Sequence, residues 1–337
     1  MKRARNTAEQ SNMKLTEEIR NEELKKREEF EKRMREANAK ELRGYIESLK
    51  LPNEKEDEKD QTNLMIKELN VSFKGVGDSG VEILLEYPIP NLESLNLARN
   101  KIGVIGVETL VEKSNWPKLI KLDLSGNPIG AEGTSILAKS NSWINLRELH
   151  LRNNDIGDEG AAALAESTSW MNLTILDLSG TNITVEGATA LAKNTSWANL
   201  TGLYLRKNNV GDEGAAALAE STSWMNLTIL DLSGTNITVE GATALAKNTS
   251  WANLTRLFLG GNKFGIEGTA ALASNTSWEN LTTLNLSSNK LGDKGILALT
   301  NNKSWMKLTR LVLSNNNIGI DGGKKLRKRW STCELEV

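Results

Sequence analysis

The chain has 337 residues with 42 basic and 43 acidic side chains, enough for one large domain or two ordinary ones. The formal charge of −1 exerts no global pull toward nucleic acid or an acidic membrane. One cysteine, Cys333, excludes a disulfide framework and fits a reducing compartment, and no apolar run reaches the length of a membrane span.

Residues 1–41 read as a charged helical stalk. The opening MKRARNTAEQSNMKL is basic but lacks the apolar stretch of a secretory signal, so a cytoplasmic protein is expected, with signal-less secretion as a bacterial effector left open. Six Glu-to-basic pairs four apart follow, from Glu22/Lys26 to Glu36/Lys40, each contributing about 0.2–0.5 kcal/mol to a helix. Leu15, Ile19, Leu24, Phe30 and Met34 do not hold a heptad. A solvated stalk on a monomer is therefore expected, the alternatives being partner docking or a weak coiled coil through residues 13–41. Residues 42–65 comprise a helix with Leu42, Tyr45, Ile46 and Leu49 on one stripe, then the acidic linker PNEKEDEKDQT.

From here the chain repeats. Leu-x-x-Leu-x-Leu begins at Leu92, Leu119, Leu146, Leu173, Leu200, Leu227, Leu254, Leu281 and Leu308, always 27 residues apart, and a degenerate copy begins at Ile66. The phrase Gly157 to Thr201 recurs unchanged at Gly211 to Thr255, so two repeats were duplicated together. Within a unit, the alternating leucines make a short strand with one buried face. A polar turn residue follows, Asn or, at positions 181 and 235, Thr. In IGDEGAAALAES, Ile156 plugs the core, Asp158 is the expected N-cap, and a helix begins near Gly160 with Leu164 on its buried stripe. TSWMN closes the unit with one Trp.

This pattern resembles the leucine-rich repeat family, in particular its ribonuclease-inhibitor-like class, over residues 66–330. The resemblance implies an α/β solenoid, one degenerate plus nine regular repeats, with an inner parallel sheet and outer helices. Spacing implies the same curvature, because strands stack about 4.8 Å apart whereas packed helices need about 8–10 Å. The helix at 42–49 is expected to cover the first unit, and residues 331–337 are left as a C-terminal tail. Trp116 to Trp305, once per unit, read as a packing column, and the Gly series from Gly106 to Gly322 as helix starts with no room for a Cβ. Lys324, Lys325, Arg327, Lys328 and Arg329 give the last helix a polar outer face, with Trp330 over the final turn.

The variable positions alternate with the leucines and point to the concave face. Alternate repeats present a ring, twice followed two residues on by Arg, and those between present Asp and Ser. Asp123, His150, Arg152, Asp177, Tyr204, Arg206, Lys207, Asp231, Arg256 and Phe258 are the candidate partner-binding residues, rich in Tyr and Arg. His150 has only Ser125 and Ser179 on adjoining strands, and a flat strand face offers neither oxyanion hole nor pocket, so no catalytic residue is assigned. No His/Cys cluster or phosphate loop appears, so no metal and no cofactor are expected. The expected function is a protein-interaction scaffold with an unidentified protein partner. The alternatives are a small-GTPase regulator resembling Ran GTPase-activating proteins, though the basic C-terminal helix lacks their acidic tail, or an assembly protein using its stalk.

Overall fold

The computed structural model describes residues 25–26, 29, 32–33, 36–46, 48 and 66–337. They belong to two compact units, Met1–Asn53 and Glu54–Val337. In the first, helix α1 (36–46) buries Leu42 and Ile46 on one stripe, with Tyr45 half-buried. Leu49, the acidic linker and the five apolar stalk residues lie outside the described residues, and so does most of the segment on which self-association was expected.

The second unit is one sheet of eleven three-residue parallel strands in chain order. They are β1 (Glu68–Asn70), β2 (Ser94–Asn96), β3 (Lys121–Asp123), β4 (Glu148–His150), β5 (Ile175–Asp177), β6 (Gly202–Tyr204), β7 (Ile229–Asp231), β8 (Arg256–Phe258), β9 (Thr283–Asn285), β10 (Arg310–Val312) and β11 (Glu334–Glu336). Between consecutive strands run α2 (Gly77–Leu85), α3 (Val104–Lys113), α4 (Gly130–Ala138), α5 (Gly157–Glu166), α6 (Val185–Ala192), α7 (Gly211–Glu220), α8 (Val239–Ala246), α9 (Gly265–Ala273), α10 (Gly292–Asn301) and α11 (Ile320–Arg329). Successive helices pack on one another. The register puts the central leucines of all strands, Leu69 through Leu335, in one row. Because strands stack more closely than helices, the sheet is the inner layer.

The segment expected as a tail instead holds β11. Glu334 N–H donates to Thr309 O (2.8 Å), Leu313 N–H donates to Glu336 O (2.6 Å), and Arg310 pairs with Glu336. Its Glu-Leu-Glu alternation was too short to read as a strand, but it lies beside an edge with unpaired donors and acceptors.

Two internal columns hold the units together. The tryptophans from Trp116 to Trp305 are buried, as a packing column requires, and the Nε1–H of Trp143 donates to Ser114 Oγ (3.1 Å). The turn asparagines form the second. Asn208 Oδ1 accepts from Thr181 N–H (3.1 Å) and Ile183 N–H (3.0 Å), while its Nδ2 donates to Leu178 O (2.8 Å) and Leu205 O (2.9 Å). One buried carboxamide thus satisfies backbone groups of two consecutive units.

Asp158 does not cap its own helix. That helix starts at Gly157, in a left-handed conformation (φ 64°), and Asp158 lies in its first turn. Its Oδ1 accepts from Thr184 N–H (2.8 Å) and Gly187 N–H (2.9 Å), capping α6 of the next unit. Asp78 serves α3 and Asp212 serves α8 in the same way. The expected lack of room at the Gly series is seen here: a Cβ on Gly187 would stand 2.5 Å from Asp158 Oδ1.

Candidate inner-face interaction site

The register brings nine of the ten candidate residues onto one stretch of the inner face. Asp123, His150, Asp177, Tyr204, Asp231 and Phe258 are in-register neighbours across β3 to β8, all half-buried. Arg152 and Arg206 stand exposed two residues beyond His150 and Tyr204, and Arg256 is exposed at the start of β8. Lys207 lies instead on the turn after β6, exposed at the rim with φ 57°.

Local chemistry accounts for the alternation along this row. Asp123, Asp177 and Asp231 each turn an Oδ1 back to the N–H two residues on, of Ser125 (2.9 Å), Ser179 (2.9 Å) and Ser233 (2.8 Å). These are Asx turns that close the strand end. His150, Tyr204 and Phe258 make no such bond among the described residues and stand half-buried on the inner face.

Tyr204 has a prepared floor. Gly202, two residues earlier on the same face, has no side chain, and a Cβ there would lie 3.3 Å from Tyr204 Cε2 and 3.6 Å from Ile175 Cγ1. The ring therefore lies back along its own strand, with Ile175 and Ile229 at the equivalent positions of the flanking strands. Burial pushes the Tyr204 hydroxyl pKa up, the Arg256 charge opposes this, and Asp177, Asp231 and Glu148 reinforce it. The phenol stays protonated, a hydrogen-bond donor on an apolar shelf.

Charges on the face divide into engaged and free. Glu148 Oε2 is 2.9 Å from Lys121 Nζ and 3.5 Å from His150 Nε2. Burial alone would raise its pKa, but Lys121 and then His150 outweigh it and hold the carboxyl below the ordinary range. Arg310 is paired with Glu336. The side chains of Arg152, Arg206, Lys207 and Arg256 make no hydrogen bond or ion pair among the described residues.

At the first outward position of the strands the sequence pattern singled out Arg256 alone and passed over Ile175, Gly202 and Ile229. The signal was present there, as one Gly between two Ile at equivalent sites. No group of three or more potential metal ligands occurs among the described residues, and no described helix is long and apolar enough to cross a membrane.

A trough of about 880 Å³ runs along the strand-start edge, lined by Asn172, Thr174, Asn199, Thr201 and their equivalents up to Lys307. Its polar groups serve the stack. Thr201 Oγ1–H donates to Thr174 O (3.0 Å), and Asn199 Nδ2 donates to Met171 O (2.9 Å). Each column member binds the unit before it, so the trough is a by-product of stacking.

Among solved structures, a leucine-rich repeat protein of Leptospira interrogans is 22% identical (TM-score 0.42, covering 76% of this chain and 74% of that one). The yeast Rad7 and Elc1 complex contains a chain 17% identical (TM-score 0.47, covering 77% and 72%). No curated protein matches. The family profile described as Leucine Rich repeat matches at residues 89–111, 117–138, 144–165, 171–192, 198–219, 225–246, 279–299 and 306–326, slightly more than half of the sequence. With one strand and one helix per 27-residue step, the chain belongs to the leucine-rich repeat family.

Proposed function

We propose that this chain is a non-enzymatic protein-interaction scaffold, monomeric and cytoplasmic, that seats a protein partner on the inner face of its sheet around Tyr204. We also place it in the ribonuclease-inhibitor-like class, since every unit returns through an α-helix of 8–10 residues. The observation that carries the reading is the seat of Tyr204, a half-buried ring on the Gly202 gap between Ile175 and Ile229 with free arginines around it. Tyr and Arg anchored on a rigid, partly desolvated shelf are the residue types that dominate binding energy at protein interfaces. A strand face is also rigid, so little ordering is needed on association.

The test is quantitative capture of protein partners by immobilised full-length chain, followed by affinity measurement for each. Tyr204→Ala and Gly202→Ile are compared with wild type, with circular dichroism as the fold control. Gly202→Ile keeps the tyrosine but fills the space under its ring. Both variants are expected to lose about 30-fold in affinity, the size of a hot-spot truncation near 2 kcal/mol. Wild-type affinity for every partner in both variants overturns the proposal.

A further inference from the structure

We infer that the partner segment seated on this face is acidic and extended, with two carboxylates three residues apart straddling an apolar side chain that rests on Tyr204. This rests on the inner-face docking proposed above and specifies its chemistry.

The charge balance of the face carries the first half. On the stretch from β3 to β8 its acidic side chains are already engaged. Asp123, Asp177 and Asp231 each hold a serine N–H and are half-buried, while Glu148 is held by Lys121. Its free groups are cations, since Arg152, Arg206, Lys207 and Arg256 are exposed and unpaired among the described residues. A partner therefore meets guanidinium and ammonium donors first. Like charges brought against them are rejected, and carboxylates form bidentate pairs with the arginines.

Spacing carries the second half. Arg152 follows β4 and Arg206 follows β6 at the same register position, two strands apart. Two strand spacings of about 4.8 Å separate them by roughly 10 Å. A segment in the extended polyproline II conformation, rising about 3.1 Å per residue with about three residues per turn, covers that distance in three residues while returning both side chains to the same side. Between them at that register position lies Ser179, buried and uncharged, with its N–H donated to Asp177 Oδ1, so no charged side chain stands between the two arginines. Beside the second arginine lies the Ile175–Tyr204–Ile229 shelf, which takes an apolar side chain of the same segment. Arg256, whose charge acts on Tyr204, bounds the shelf on the far side.

Fluorescein-labelled peptides test this against the full chain by anisotropy, at low and high ionic strength. One carries Glu-x-x-Glu around a leucine, a second Lys-x-x-Lys, and a third the same composition with the two Glu adjacent. Arg152→Glu/Arg206→Glu and Tyr204→Ala serve as variants. The Glu-x-x-Glu peptide is expected to bind at least about tenfold more tightly than either other peptide and to weaken with salt, and the charge-reversed variant is expected to prefer Lys-x-x-Lys. Equal binding of the three peptides that disappears in Tyr204→Ala overturns the acidic inference while docking at this face stands. Binding that responds to neither variant, or its absence for every peptide, overturns the inference; with unchanged partner affinity in Tyr204→Ala, the docking reading falls as well.

Discussion

At the scale of single residues, one carboxylate joins consecutive units. Asp212 Oδ1 accepts from Thr238 N–H (2.7 Å) and Gly241 N–H (3.0 Å), and its Oδ2 accepts from the Thr238 hydroxyl (2.6 Å). A negative group at a helix N-terminus satisfies orphan donors and opposes the positive end of the dipole, whichever unit supplies it. Asp212→Ala is expected to cost about 1–2 kcal/mol, the range of an N-cap loss, read as a fall in the urea midpoint with m unchanged. The residue type was legible as a cap in GDEG, but its client was not. A cap is inferred for the helix that follows it in sequence, whereas this one reaches the helix beginning 27 residues later.

At the scale of the repeat element, strand and helix were readable because their periods of two and 3.6 are written in the leucines and alanines. The polar turn was readable as a turn, but its reach across the unit boundary was not. Asn208 ties both sides of the β5–β6 boundary, and replacing it by an apolar side chain of similar size strands four buried backbone groups. Asn208→Leu is expected to destabilise by about 3 kcal/mol or more, from about 1–3 kcal/mol per unsatisfied group with partial relaxation. Hydrogen exchange should show the Ile183 amide losing most protection, because stability in an array is a sum of local units and their interfaces. Uniform loss across the array would contradict that reading.

At the scale of the whole array, β11 covers the sheet edge that β10 would otherwise leave open. Deleting residues 331–337 removes the Glu334 and Leu313 backbone bonds and the Arg310–Glu336 pair, and bares β10. The truncated chain is expected to unfold at lower urea and to associate through the bare edge, seen as a rise in mass by light scattering with increasing concentration. A monomer with unchanged midpoint would show β11 to be a passive addition. The candidate face depends on this scale too, because His150, Tyr204 and Phe258 come into one row on alternate strands only when 27-residue units stack in register.

Taken alone, the order of residues determined the repeat length, the strand and helix within each unit, the buried leucine and tryptophan columns, and which face was free to vary. Those are properties of periodicity, and periodicity is local. Tertiary structure decided which unit each polar side chain serves, that three aspartates of the candidate face are spent on their own turns, and that Tyr204 lies on the gap left by Gly202. Each of these depends on distances between residues of different units or on the direction a side chain takes. Such relations arise only when the units are stacked.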